Sequence, residues 1–472
     1  MLTVAGLFII VMVVGLLLSG KCAPIISLVL IPLAGALLAG FSPAEIAPFY
    51  TKGLVKVAPV ATMFVFAIVF FGLMQDVGLF SPLVRGLLSL TRGNIIAVAV
   101  CTALLGMVAH LDGAGATTFL LTIPALLPLY QRLRMSPYLM LMLLAIGAGM
   151  MNLTPWAGPM GRASAVTGID VGVLWQPLIP VQAIGGFVLV ILAILLGMRE
   201  QKRIKLKDVQ DPSRQAPPFS SAAIVTATAS DTASIETEPE APWVDHAIGQ
   251  QGVLPSATLN VHGPLSKALN CAIFALVLAG LLSGVLPAPF VFMIGTALAL
   301  LVNFRTQQAQ IDRIKAHAPN ALIMAAIILT AGAFLGIMDG SGMLKSMAND
   351  LVHILPDASV PYLHLILGVF GLPIELLLST DAYYFGLLPI VHEIVSAHGV
   401  SPMTTVHAMA IGNAIGTFIS PFSPALWLAL GLAGLDMGKH IRYSLLWMWV
   451  YSLVMMGVAV AIGLLPVSIA AL

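Results

Sequence analysis

Hydrophobic residues are strung along this chain in runs close to 20 residues long, divided by short polar segments. A helix needs about 20 apolar residues to cross the ~30 Å hydrocarbon core of a bilayer. The pattern predicts spans at 2–20, 23–41, 57–80 and 176–198, and again at 267–286, 288–304, 320–340 and 441–466. Other runs are shorter and carry polar breaks. Residues 94–110 are apolar, HLDGAGATT (110–118) is polar, and 119–130 is apolar again. The same order returns as 360–378, STDAYY at 379–384, and 385–395. Each trio reads as a re-entrant hairpin, 94–130 and 360–395, with a polar tip inside the membrane.

Two further helices are broken by their own sequence. AIGAGMMNLTPWAGPMGRASAVTGID (Ala145–Asp170) starts apolar, then carries Asn152, Thr154, Pro155, Gly158, Pro159, Gly161 and Arg162. Prolines and glycines at that density cannot keep an unbroken i→i−4 ladder. In lipid, the freed backbone groups are tolerable only against protein or a water-filled cavity. AIGNAIGTFISPFSPALWLALGLAGLD (Ala410–Asp436) repeats the design. The differences 421 − 155 (Pro155, Pro421) and 436 − 170 (Asp170, Asp436) are both 266. FGLMQDVGLF (71–80) matches LGIMDGSGML (335–344) at a spacing of 264, and Pro124 matches Pro389 at 265. Spacings this even, in chain order, mean one nearly gapless duplication.

Charge then orients the halves. If both hairpins are re-entrant, each half has five spans and the halves are inverted; if their first arms cross, each has six and the halves are parallel. With five spans and the first residue outside, Lys21, Arg85, Arg92, Arg132, Arg134, the basic run 199–207, Arg305, Arg313, Lys315, Lys439 and Arg442 all fall inside. Lys52, Lys56 and Lys345 are the exceptions. The positive-inside rule therefore favours the inverted arrangement. The expected fold is an all-α polytopic membrane protein of two inverted repeats, each about five transmembrane helices plus a re-entrant hairpin and a broken helix. Residues 1–199 form the first repeat and 265–472 the second. The Pro-, Ser-, Thr- and acid-rich stretch 200–264 reads as a disordered cytoplasmic linker.

Composition agrees: 59% of residues are hydrophobic and 9% charged, against about 25% charged in soluble domains. A net charge of +1 gives no reason to expect a nucleic-acid partner. Cys22, Cys101 and Cys271 make neither a paired framework nor a zinc spacing. MLTVAGLFII lacks the basic start of a cleaved signal peptide, so the first span reads as a mature helix.

Polar breaks at matching places in inverted repeats point to a secondary transporter's site. Hairpin 1 offers Asp112, Thr117 and Thr118; hairpin 2 offers Ser379, Thr380 and Asp381. The broken helices add Asn152, Thr154 and Arg162, then Asn413, Thr417, Ser420 and Ser423. Carboxylate, hydroxyl and amide oxygens suit a hard cation such as Mg²⁺ or Ca²⁺, and the Arg162 fork suits a carboxylate. Each hydroxyl has a plainer reading as a bond back to its own helix, and Asp170 and Asp436 as helix caps. Asp112, Asp381 and Arg162 lie inside breaks in apolar sequence, where charge marks function. Glu375 is either a proton carrier or an interface residue, and His110 a titrating neighbour of Asp112 or a helix-terminal histidine. His407 carries less signal. An intramembrane enzyme would need a nucleophile–base pair or a metal cluster, and neither HExxH nor GxSxG is present. A passive channel would not need inverted breaks.

The stretches FGLMQDVGLF, LDGAGATT, NLTPWAGPMGRASA, STDAYYFGLLPI and SPFSPA together resemble the CitMHS family of the ion transporter superfamily, over nearly the whole chain outside 200–264. The resemblance implies proton-coupled symport of citrate complexed with a divalent metal such as Mg²⁺ or Ca²⁺, the metal being part of the substrate and no cofactor permanently bound. It also implies a homodimer in the bacterial inner membrane, working as an elevator. In that reading Asp112, Asp381 and Glu375 couple metal or protons, and the hydroxyl, amide and arginine groups bind substrate. At Ala114 and Thr380 this chain departs from the more acidic tips of the family pattern. The other reading within transport is a related superfamily carrier for a dicarboxylate with Na⁺, or for an oxyanion.

Overall fold

An apolar run near 20 residues long can satisfy all of its backbone groups within itself in lipid by forming a helix. The computed structural model describes residues 2–19, 22–79, 86, 91, 93–210, 264–352, 356 and 359–466, and they form helices and no strand. Most of the basic segment 81–93 and of the linker lies outside the described residues. In chain order the first half holds α1 (Leu2–Ser19), α2 (Pro24–Leu38), α3 (Pro43–Asp76), α4 (Ile95–Ala109) and a 3₁₀ turn (His110–Asp112). It continues with α5 (Gly115–Arg132), α6 (Pro137–Met151), α7 (Gly158–Thr167), α8 (Val171–Trp175) and α9 (Ile179–Gln210). The second half holds α10 (Pro264–Ser283), α11 (Ala288–Asn303), α12 (Gln307–Gly340), α13 (Met343–Val352), α14 (Leu363–Val369) and α15 (Gly371–Ile374). A π-helical segment (Ala382–Leu387) leads into α16 (Leu388–Ser396), and α17 (Pro402–Asn413), α18 (Pro424–Ala433) and α19 (Met437–Ala461) complete it.

Six of the described helical segments are long and apolar enough to cross a membrane, which makes the chain a multi-pass membrane protein. One of them, Ile95–Asp112, falls in the expected hairpin 1. It reaches that length only by adding the 3₁₀ turn to α4, whose 15 residues cover about 22 Å at 1.5 Å per residue. α9 departs from expectation in the other direction. It continues as helix to Gln210, past the expected end of order at 199. The cause is local packing of its charged end: Ser136 N donates to Glu200 (2.6 Å) and Arg203 donates to the Arg134 carbonyl (2.9 Å).

The centre of the scaffold is the pair α3 and α12, each 34 residues long, with starts at 43 and 307 that are 264 apart. They pack antiparallel. Gly53 lies against Gly332 and Gly336, Gly72 against His317, and Asp76 bonds His317 (2.9 Å) near Arg313. α11 and α2 flank the pair on corresponding sides. A second layer holds the hairpins and broken helices. α4 packs on α6, and the corresponding first arm of hairpin 2, α14, packs on α17. The glycines explain how closely these arms approach. A Cβ at Gly106 or Gly147 would strike the backbone of the facing helix, and the same holds for Gly371 and Gly412, each 265 residues further on. Small residues at such crossings let helix backbones touch, which is how helices associate in lipid.

Candidate functional site

Each broken helix stops halfway. α7 and α18 have 10 residues apiece, about 15 Å, or half the hydrocarbon thickness. Both begin at the break, with Pro at the first helical turn, so their positive N-terminal ends point into the middle of the protein. The halves exchange partners here. α18 packs on α5 of hairpin 1, while α7 packs on the π segment and α16 of hairpin 2, and also against α3 and α12. The two breaks meet where Asn152 Nδ2 donates to the Ala414 carbonyl (2.8 Å) and Gly149 abuts Ile415.

Around that crossing lie two polar clusters. In the first, Asp112 accepts from the Ala114 backbone N–H (2.9 Å) and from the Thr117 hydroxyl. Buried His110 reaches Thr118 through Nδ1 (2.7 Å) and Asn152 Oδ1 through Nε2 (3.1 Å). An amide oxygen can only accept, so Nε2 carries a proton. Trp156 Nε1 donates to the Leu111 carbonyl (2.7 Å), fastening the first broken helix to the tip of hairpin 1. In the second cluster, Glu375 is 0% exposed and accepts from Thr380 and from Asn413 Nδ2 (2.7 Å). Thr380 also lies 3.3 Å from Thr417. Arg162, on α7, crosses to this cluster and donates from Nε to Asp381 at 2.6 Å. Among the described residues its terminal nitrogens Nη1 and Nη2 hold no hydrogen bond.

The structure thus brings most of the sequence candidates to one crossing but sorts them. Asp112 and Asp381 share no hydrogen-bond partner. Asp381 neutralises Arg162, whereas Asp112 stays on its own hairpin. The structural counterpart of Asp112 is Glu375: both acids bond a threonine five residues on, and Asp112/Glu375 and Thr117/Thr380 are each 263 apart. The repeat DGAGAT against ELLLST carried that signal in the sequence. Thr154 bonds back to the Met151 carbonyl (2.7 Å), Ser423 caps α18, Ser420 accepts from Phe422 N, and Ser379 accepts from Ala382 N. These four serve local backbone. Asp170 and Asp436 cap α8 and α19. Tyr384, which sequence reasoning did not single out, is fully buried with its hydroxyl unpartnered, as is Asn413 Oδ1. Lys56, an exception to the charge rule, is spent on the Val166 carbonyl at the C-terminal end of α7 (2.9 Å). Among the described residues no three His, Cys, Asp or Glu side chains gather as a metal site.

Half-helices that meet inside the protein beside two polar-tipped hairpins are a fold also found in a solved transporter. The crystal structure of the Alcanivorax borkumensis YdaH transporter shares it, with a TM-score of 0.51 and 16% identity over 89% of this chain and 88% of that one. The family follows from sequence. The profile of CitMHS, the citrate transporter family, matches residues 1–416, and the chain belongs to that family. Two Bacillus subtilis (strain 168) proteins are similar over their whole lengths. A "Citrate transporter" is 33% identical across 98% of this chain, and an "Mg(2+)/citrate complex secondary transporter" is 32% identical across 99%. The chain is a transporter and not an enzyme.

Proposed function

We propose that this protein is a secondary active transporter that takes up citrate as its complex with a divalent cation of the Mg²⁺ or Ca²⁺ type, in symport with protons. The observation that carries the reading is Arg162. It is buried at the crossing of the broken helices and held by Asp381 through Nε alone, so its two terminal nitrogens, with four N–H donors between them, remain for a carboxylate. A planar fork fixed in this way recognises carboxylates by geometry as well as charge. The metal is cargo. Citrate supplies most of its ligands, and Asp112 adds one carboxylate at the N-terminal end of α5.

The inverted arrangement is part of the proposal. Its support is the antiparallel packing of α3 and α12, whose sequences are duplicates. In that arrangement residues 1–199 and 265–472 are the two repeats, the linker is cytoplasmic, and the protein works in the bacterial inner membrane as a homodimer. Proteoliposome uptake of labelled citrate, with and without Mg²⁺ and an imposed pH gradient, tests the function. Uptake that needs both supports it. Uptake driven by Na⁺, or of a dicarboxylate without metal, would transfer the site to the alternative carrier class.

A further inference from the structure

Resting on the proton-coupled reading above, we propose that the coupling site is the sealed cluster on hairpin 2, with the Glu375 carboxylate as the group that takes up and releases the proton. Charge counting leads there first. Glu375 has no exposed surface, and the charges that act on it are Arg162 and Asp381. Those two neutralise each other across 2.6 Å. One negative charge is left over in a water-excluded place, where an unpaired carboxylate is costly and a single added positive charge restores neutrality.

The second observation is Asn413. Its amide nitrogen serves Glu375 (2.7 Å) and the Gly371 carbonyl (3.3 Å), while its oxygen is fully buried without a partner. An amide that faces an ionised carboxylate presents its N–H. Turned over, the same amide presents its oxygen to a protonated carboxyl and is satisfied by the new O–H. Asn413 is thus built to serve both protonation states of Glu375, and the orphaned oxygen is the acceptor that the second state uses.

The comparison between repeats shows why this acid and not its counterpart carries the proton. Asp112 sits at a hairpin tip that is partly exposed, where cargo can reach it. Glu375 lies behind Thr380 and accepts from Thr380 and Asn413, and among the described residues no three His, Cys, Asp or Glu side chains gather there as a metal site. Other titratable groups lie on the surrounding elements, among them Tyr384 with its hydroxyl unpartnered and His364 with both ring nitrogens unpartnered. Tyr383 bonds the Met409 carbonyl, and Tyr384 lies within electrostatic reach of both Glu375 and Arg162. On the elements packed around it, His407 is held by the Leu174 carbonyl and His440 by that of Phe418, and His364 is buried on α14.

Coupling follows from the same count. A tricarboxylate with one divalent cation carries a charge of −1, which an ionised Glu375 repels from the cluster. Protonation removes that repulsion and leaves the free Arg162 nitrogens to the substrate. One O–H bond forms as the complex binds on one face and breaks as it leaves on the other.

The test is Glu375→Gln, which keeps the shape of a protonated carboxyl and cannot titrate. In proteoliposomes, wild type should accumulate Mg²⁺–citrate in response to a pH gradient; the variant should lose that accumulation and show Mg²⁺–citrate exchange that no longer changes with pH. Accumulation that still follows the pH gradient in Glu375→Gln overturns the proposal, as does a wild type that transports Mg²⁺–citrate but ignores pH or follows Na⁺ instead. If the variant is silent, infrared difference spectra of purified protein with and without Mg²⁺–citrate decide. A protonated-carboxyl band should respond to substrate in wild type and vanish in Glu375→Gln, and a band that persists in the variant overturns the assignment. Failure of wild type to take up Mg²⁺–citrate at all would instead strike the proposed substrate, while the spectra taken on a pH change alone would still test Glu375.

Discussion

Replacing Asp381 by Asn leaves Arg162 with its charge and without its partner, in a place where the two side chains are only 11% and 16% exposed. Exposed ion pairs contribute about 0–1 kcal/mol. Removing one member of a buried pair costs about 3–5 kcal/mol, because the survivor keeps its desolvation penalty. The small residual exposure places the expected loss near the lower end, about 3 kcal/mol, an effect large enough to reduce the folded population visibly. The double variant Arg162→Gln/Asp381→Asn removes both charges and should recover most of that loss, since the pair's net contribution over neutral partners is small. Unfolding of purified protein by denaturant in detergent, run as a double-mutant cycle, measures each corner. Uptake should fail in all three variants, because Arg162 is either displaced or absent. A loss below about 1 kcal/mol for Asp381→Asn, with no coupling in the cycle, would mean that Arg162 is solvated already and that Asp381 does not position it.

Arg162→Lys should weaken Mg²⁺–citrate uptake almost as much as Arg162→Ala, by about 10–100-fold, since it loses one of two charged hydrogen bonds worth about 1.5–3 kcal/mol; full activity of the Lys variant would leave only a general electrostatic role. Gly412→Ala places a methyl group against the Gly368 carbonyl and should destabilise by about 1–3 kcal/mol, read as lower yield and a lower unfolding midpoint; wild-type behaviour would show that the hairpin arm yields easily. In a background without Cys22, Cys101 and Cys271, an impermeant thiol reagent should label Ser221→Cys only from the cytoplasm and Ser283→Cys only from outside; labelling of both from one side would sink the inverted arrangement.

Much of this architecture could be read in advance because lipid leaves few alternatives. Runs near 20 residues must coil and cross, and prolines beside glycines must break a helix, so the spans and both broken helices follow from spacing alone. The offsets of 264 to 266 between matched stretches point to a duplication in the same way. What escaped was pairing across the crossing. Asp112 and Asp381 look equivalent in the sequence because each lies in a polar tip. The structure instead pairs Asp381 with Arg162 in the other half of the chain, 219 residues away, a contact that no local pattern encodes. The match of Asp112 with Glu375 was hidden by its different side-chain length and by the apolar run LLL between Glu375 and Ser379. The hydroxyls divided as local chemistry favours: Ser423 and Ser379 meet the orphan N–H groups of nearby turns, while Thr117 and Thr380 reach an acid five residues back.

A duplication whose halves run in opposite directions would, if its halves were identical, give an inward-facing and an outward-facing state of equal energy. Differences between matched positions are therefore what bias one state over the other. The scaffold pair shows such a difference at its two ends. At one end Asp76 meets His317 at 2.9 Å and Arg313 at 3.7 Å. The positions 264 residues away from these three are Gly340, Gly53 and Phe49, and there Gly340 simply packs on the Phe49 ring. One end of the α3–α12 seam is tied by charge and the other by small-residue packing. The hairpins repeat the lesson, with a partly exposed aspartate in one and a sealed glutamate in the other. If the halves are inverted as proposed, the shared backbone supplies two states, and these unmatched side chains are where a preferred direction, a coupling ion and a substrate charge would enter.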